Sequence, residues 1–508
     1  MRRYWLPLVM LGVTAAVLYW AWSLLPAHKG AARAPQAVAP RVAYSPTQPL
    51  TFELISGDEE QASASMAAWL RDELSYWFPR APQLRYVAAG TANRPRPFAV
   101  QARLVSAQQL QLRLLAPDGF VEREKMLATQ AAGLPFAVAL AQQIPRFLGL
   151  NVNWQALIGT SDADAYAAVV RTREHLRAEP TSVSLDPEQA AQQLVVDIGA
   201  LERVTKRNKQ YARAWSTLAL AYSRMEGEDS TSLDSLALAA AERAIALDPK
   251  AAEAHAVRGF VQYQRGQWLG AHAQLMQALQ LEPASTAALT ILACLLVDAG
   301  LDGQALPVAE QAVKVAPADT TARECLSYAR IGTGRPVEDS NRSPLPFAAA
   351  RLVATVRILE GNVPAARQSY AEAIAREHRD APWLDALLNA ASDRKQSVEA
   401  LRAITSAASE GHVDATTEVL AGVALKRSDF VFNRLLRLQH ANEFAPLRVL
   451  WLPQTTNLRK HASFDDVLRA SNLATFWARH GKPDVCAKEP RIAACREATL
   501  PSPVTERG

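Results

Sequence analysis

A chain of 508 residues, 49% of them hydrophobic and 21% charged, can bury a large core and falls outside the disordered class. Its formal net charge of +5 points toward a nucleic-acid partner only until the charges are placed. Arg2, Arg3, Lys29, Arg33 and Arg41 have no acid among them. The rest of the chain is therefore neutral, with 50 basic against 50 acidic residues, and a nucleic-acid partner is not expected.

Residues 4–25 carry no charge and, at about 1.5 Å rise per residue, would extend roughly 33 Å as a helix, enough to cross a bilayer. A cleaved signal peptide is the alternative. Its apolar region should be shorter, and Ala27-His28-Lys29 puts a cation where a small residue is wanted. Trp5 at one end, with Tyr19, Trp20 and Trp22 at the other, suit the two interfaces, and Arg2 and Arg3 place the N-terminus in the cytoplasm. The expectation is a stub and transmembrane anchor over 1–28, with the bulk of the chain in the periplasm of a bacterial inner membrane. An Ala/Pro-rich spacer follows over 29–48.

Residues 49–151 mix periods. LTFELI, LRYVAA, FAVQARLV, QLQLRLLA and FVEREKML have strand lengths, SASMAAWLRDELSYWF is amphipathic at helical spacing, and a helix is predicted at about 133–149. Pro117-Asp118-Gly119 reads as a turn, proline fixing one φ and glycine supplying a positive one. These signals predict a small α/β domain with a mostly antiparallel sheet.

From about 161 strand signals vanish and a period of 34 residues appears. Its columns are Gly266, Gly300 and Gly334; Ala237, Ala271 and Ala305; Ala244, Ala278 and Ala312; Leu247, Leu281 and Val315; and Pro249, Pro283 and Pro317. Each glycine separates the first helix of a pair from the second, and each proline ends the second. The alanine columns lie seven apart on one helix face, where small side chains let helices approach closely. Full repeats align at 212–251, 252–285 and 286–319, partial ones begin at 320 and 347, and a degenerate pair at about 161–208 caps the start of an array running over 161–395. C-terminal helices and a tail fill 396–508.

The columns and spacing resemble tetratricopeptide repeats. FELISGDEEQASASMAAWLRDELSYWFPRAPQLRYVAA followed by FAVQARLV resembles the TolB-like domain that precedes such repeats in CadC-type membrane regulators, and LWLPQTTNLRKHASFDDVLRASNLATFWARHGKPDVC resembles their terminal helix pair. The resemblance implies a mainly α fold, an α-helical solenoid behind a small α/β domain. Relatives usually carry a cytoplasmic output module, whereas here only Met1-Arg2-Arg3 precedes the apolar segment. The resemblance also implies a concave groove lined by first helices, which places Arg213, Leu220, Arg224, Phe260, Tyr263, Gln264, Thr290, Cys294, Val297 and Tyr328 on its surface. The Lys/Asn carboxylate clamp of chaperone-binding repeats is not reproduced.

No phosphate loop, nucleophile elbow, His-Glu-x-x-His or Cys-x-x-Cys occurs, so neither an enzyme, a cofactor nor a metal site is expected. Asp58-Glu59-Glu60 and Asp465-Asp466 read as acids at helix N-termini. His255 and His272 lie 17 residues apart on different helices. Cys486 and Cys495 could close a short disulfide loop, while Cys294 and Cys325, at non-equivalent repeat positions, are expected as separate buried thiols. The function implied is a membrane-anchored scaffold that takes a partner's peptide or helix in the groove. The alternatives are a sensory subunit working with a separate output protein and a non-catalytic subunit of an envelope enzyme.

Overall fold

The computed structural model describes residues 43–55, 61–81, 83–87, 96–106, 108–177, 187–225, 230–337, 344–377, 379 and 381–495. Among them no helix is long and apolar enough to cross a membrane; the span expected at 4–25 lies outside the described residues, as do Asp58, Glu59 and Glu60.

The α/β domain is built on β1 (Pro49–Ile55), β2 (Arg85–Tyr86), β3 (Phe98–Ser106), β4 (Gln109–Leu115) and β5 (Val121–Ala128), ordered β2-β1-β3-β4-β5. The sheet is mixed rather than mostly antiparallel: β1 runs parallel to both β2 and β3, and only β3-β4-β5 is a meander. The cause is helix α1 (Gln61–Trp77), which carries the chain back along β1 so that the next strand enters in the same direction. Alternation along β3 and β4 buries Val100, Ala102, Leu104, Leu110, Leu112 and Leu114 on one face. Phe52 stacks on Phe78, and Trp69 of α1 stacks on Phe136 of α2 (Leu134–Phe147). The opposite face carries polar pairs such as Arg113 with Glu124. Gly119, at φ 86°, makes the β4–β5 turn.

Helix pairs then stack: α3 (Ala163–Arg177) with α4 (Pro187–Arg207), α5 (Ala212–Arg224) with α6 (Ser230–Leu247), α7 (Ala252–Gln264) with α8 (Trp268–Leu281), and α9 (Thr286–Asp298) with α10 (Asp302–Val315). α11 (Thr320–Gly332) follows, then α12 (Phe347–Leu359) with α13 (Val363–Glu377), α14 (Trp383–Ser392) with α15 (Ser397–Ser409), and α16 (Ala415–Ala424) with α17 (Ser428–His440). Gly266, Gly300 and Gly334 take φ values of 66°, 74° and 74° directly after first helices, which is why that column is glycine. Ala237, Ala271, Ala305, Ala244, Ala278 and Ala312 are all fully buried. A Cβ on Gly259 would meet the Leu275 side chain at 2.8 Å, so α7 and α8 pack at near backbone contact there.

α9 is enclosed on nearly all sides. Leu292, Ala293, Cys294, Leu295, Leu296, Val297 and Asp298 are all buried, because the chain beyond α17 folds back over it. That return comprises an irregular segment, a 3-10 turn at Leu447–Leu450, and the short helices α18 (Phe464–Ser471) and α19 (Leu473–His480).

Candidate functional site

The first helices carry a line of charged side chains, several of which are paired with other parts of the chain. At the start, α1 lays Asp72 and Glu73 against the solenoid. Arg173 of α3 donates from Nε to Asp72 at 2.9 Å and from Nη1 to Glu253 of α7 at 2.6 Å, and Ser216 of α5 donates to the same Glu253 at 3.0 Å. Arg213 of α5 donates to Glu73 at 2.5 Å, with the two side chains 3% and 0% exposed. Burial alone would disfavour the Arg213 cation, but Glu73 holds it charged. Arg80 and Asp248 add a 2.7 Å pair at the edge.

In the middle, the returning segment inserts Arg448 over α9. Its Nη2 donates to Asp298 Oδ2 at 2.6 Å and to the Tyr263 hydroxyl at 3.1 Å, its backbone N–H to Asp298 Oδ1 at 2.8 Å, and its Nη1 to Cys325 Sγ at 3.3 Å. The Tyr263 hydroxyl donates to Asp298, and burial holds that phenol well above its usual range. Trp451 and Trp477 donate their indole N–H groups to the carbonyls of Asp298 and Ala299, at 2.7 and 2.8 Å. Farther along, Arg351 of α12 binds Glu324 at 3.0 Å and the exposed Asp414 at 2.6 Å; partial desolvation acts the other way, but Arg351 holds the Asp414 carboxyl below its usual value.

One stretch stays open. A cleft of about 1160 Å³ lies between α5, α7 and α9 on one side and, on the other, residues 438–447 together with the α18–α19 turn at 470–472. Leu220, Arg224, Phe260, Tyr263, Gln264 and Thr290 line it. Arg224 is exposed and Phe260 is half-buried. Thr290 donates to Asp319, the N-cap of α11, at 2.8 Å, which fixes that wall. Arg265 is tied to Ser235 at 3.0 Å, while burial raises the nearby Asp234 carboxyl. Glu443, Phe444 and Leu447 face them from the C-terminal wall.

Arg213, Val297 and Tyr328 are not available to a partner. Arg213 is sealed by Glu73, and Val297 and Tyr328, each 1% exposed, lie in the core that forms around the returning segment. Tyr263 touches the cleft but is itself 5% exposed and hydrogen-bonded beneath, so it is wall structure rather than a free anchor. Cys294 and Cys325 are joined, S–S 2.05 Å, contrary to the expectation of separate thiols. α9 and α11 lie side by side with a stagger, so Cys294 meets the residue one turn before its repeat equivalent, Tyr328. Cys486 and Cys495 are also joined, at 2.00 Å.

Sequence reasoning missed the whole second wall. One signal was available: Asp298 is a lone charge in the otherwise apolar TAALTILACLLVD, and a buried carboxylate needs a cation from elsewhere. The polar groups supply little for chemistry. Glu73 is fully buried and cannot touch a substrate, and His255 is held on both ring nitrogens by Gln274 and the Pro249 carbonyl. Asp465 and Asp466 sit in the first turn of α18. Among the described residues no group of three or more His, Cys, Asp or Glu is placed to hold a metal ion.

No family model and no curated protein matches the chain. Solved structures with similarity to it include the crystal structure of MamA (16% identity, 39% of this chain and 97% of that one, TM-score 0.24). A thermophilic TPR protein of Thermus thermophilus, TTC0263, shares 22% identity over 38% of this chain and 96% of its own, with a TM-score of 0.27. YrrB, described as a TPR protein with an unusual peptide-binding site, shares 18% over 48% and 98%, with a TM-score of 0.23. The repeat assignment made above stands on the glycine and alanine columns and the helix pairs they produce.

Proposed function

We propose that this protein is a non-enzymatic interaction scaffold that holds a segment of a protein partner in the cleft between α5, α7, α9 and the C-terminal wall. The observation that carries the proposal is a contrast along the first helices: Arg213, Asp298 and Arg351 are paired with the chain's own side chains, whereas one stretch leaves about 1160 Å³ open with the apolar Leu220 and Phe260 beside the exposed Arg224. That volume exceeds the roughly 300–1,000 Å³ usual for small-molecule pockets and suits a peptide or two to three turns of helix. The uncharged segment 4–25 supports attachment to a membrane, and two disulfides support an oxidising compartment, so the scaffold is assigned to the periplasmic side of a bacterial inner membrane.

The test is site-specific photocrosslinking in intact cells, with the photoreactive residue at Phe260 in the cleft and, for comparison, at Met276, which is 39% exposed and outside it. A discrete adduct from position 260 and none from 276 is expected. Equal adducts from both positions, or an adduct only from a probe at Met126 on the open face of the sheet, would move the binding site elsewhere.

A further inference from the structure

We propose that His272 and His480 form a pH-sensitive latch that keeps the C-terminal wall of the cleft docked near neutral pH and releases it on acidification. The proposal rests on the cleft reading for its consequence and on the wall's own geometry for its mechanism.

The wall has several attachments, among them the Trp477 indole N–H on the Ala299 carbonyl at 2.8 Å, and two of them differ in chemistry. Residues 443–452 are tied down by Arg448 on Asp298, and the arginine keeps its charge at any physiological pH. The α18–α19 turn is held instead along α8. Trp268, at the start of α8, donates its indole N–H to the Ser471 carbonyl at 2.5 Å, and both residues line the cleft. One turn on, His272 of α8 meets His480 of α19 with ring centroids 4.1 Å apart and planes at 46°. Phe476 packs against both imidazoles, at 5.8 and 4.5 Å. Trp268 also meets Phe476, at 6.5 Å, so the contact between α19 and α8 is a cluster of rings of which two, His272 and His480, titrate.

The charges acting on the pair are all positive. Burial, then His480, then Arg479 push His272 down to about 4, and burial and Arg479 lower His480 as well. Both rings are neutral when docked at neutral pH, and protonating them puts two cations with ring centroids 4.1 Å apart beside a third, Arg479. The sign follows: a histidine whose docked pKa lies below its free value of about 6.5 favours docking above pH 6.5 and weakens it as the pH falls toward 4.

Other ionisable groups near the wall do not produce this response. Asp302 of α10 is buried beside Asp484 and Asp298, which raises its carboxyl, so acid relieves rather than loosens that contact. Asp484 accepts from the Gly303 N–H at 2.6 Å, and Gln304 donates to the His480 carbonyl at 3.0 Å. Lys482 donates to the Cys495 carbonyl. On α18, Asp465 and Asp466 are exposed, and Asp466 pairs with Arg469.

The test is hydrogen exchange on the full chain between pH 7.5 and 4.5, corrected for intrinsic rates, read at 470–481 and at 212–247 as a reference. The expected result is an opening equilibrium in 470–481 that rises below pH 6.5, by up to about a hundredfold per pH unit where both rings gain a proton on opening, with 212–247 unchanged. His480→Gln and His272→Gln should each cut the response to at most about tenfold per unit, and the double variant should abolish it. Unchanged protection at 470–481 across the range, or a response that survives in the double variant, overturns the latch. The readout needs no partner, so the two ideas fail separately: absence of an adduct at Phe260 refutes the binding site alone, and a pH-invariant wall refutes the latch whatever that position captures.

Discussion

Two segments flanking the solenoid, α1 and the stretch beyond α17, dock on it with opposite charge arrangements. At the α1 junction the solenoid supplies the arginines, Arg173 and Arg213, and the docked helix supplies Asp72 and Glu73. Over α9 and α11 the solenoid supplies the carboxylates, Asp298 and Glu324, and the docked segment supplies Arg448. Either arrangement satisfies buried charge, but they are not interchangeable. Exchanging the segments would set carboxylate against carboxylate and guanidinium against guanidinium. Charge sign therefore addresses each segment to its own place, and the cleft is what remains between the two addresses.

The largest effects should come from breaking one of the two addresses. Arg448→Ala would leave Asp298 buried without its cation and cost about 3–5 kcal/mol, with Arg213→Ala approaching that figure through Glu73. Denaturant unfolding of each single variant checks this, and a cost below about 1 kcal/mol would show that the pairs do not hold the segments. Replacing both partners, as in Arg448→Met with Asp298→Leu, should restore much of the loss, since the penalty lies in the orphaned charge.

Next in size is the array itself. Ala278→Leu places three extra carbons where the native side chain is fully buried and should cost about 1–3 kcal/mol, read as a lowered Tm. Tyr263→Phe removes a hydroxyl bonded to Asp298 and Arg448 and should cost about 1–3 kcal/mol, which would mark Tyr263 as wall rather than anchor. The smallest stability effect, about 1 kcal/mol, is expected for Phe260→Ala, because that ring is only half-buried. Binding is where Phe260 should matter: partner affinity should fall by about 1–3 kcal/mol in a pull-down titration. A Phe260→Ala protein that melts as early as Tyr263→Phe would place the ring in the core.

The repeat register was legible in the sequence because it is local. Gly266, Gly300 and Gly334 need positive φ at a fixed interval, the alanine columns need two helical turns, and any window of about 34 residues contains both signals. Six of the positions that the tetratricopeptide resemblance implies, Leu220, Arg224, Phe260, Tyr263, Gln264 and Thr290, line the cleft. Arg213, Val297 and Tyr328 satisfied the same register, yet they are covered, since periodicity says which face a residue takes and not what else comes to lie on that face.

Only the tertiary structure decided the covering. Arg448 reaches Asp298 across 150 residues and Tyr263 across 185, and Glu73 reaches Arg213 across 140. Such pairs leave no periodic trace, because a side chain inserted from a distant loop obeys the shape and charge of its receptor rather than any helical or strand repeat. The Cys294–Cys325 bridge depends in the same way on the stagger between α9 and α11, a packing quantity that sequence offset misjudges by one turn. Sequence by itself thus determined a solenoid of helix pairs behind a small α/β domain. Tertiary structure decided that α1 and the segment beyond α17 would cover Arg213, Val297 and Tyr328 and leave a cleft beside Leu220, Arg224 and Phe260.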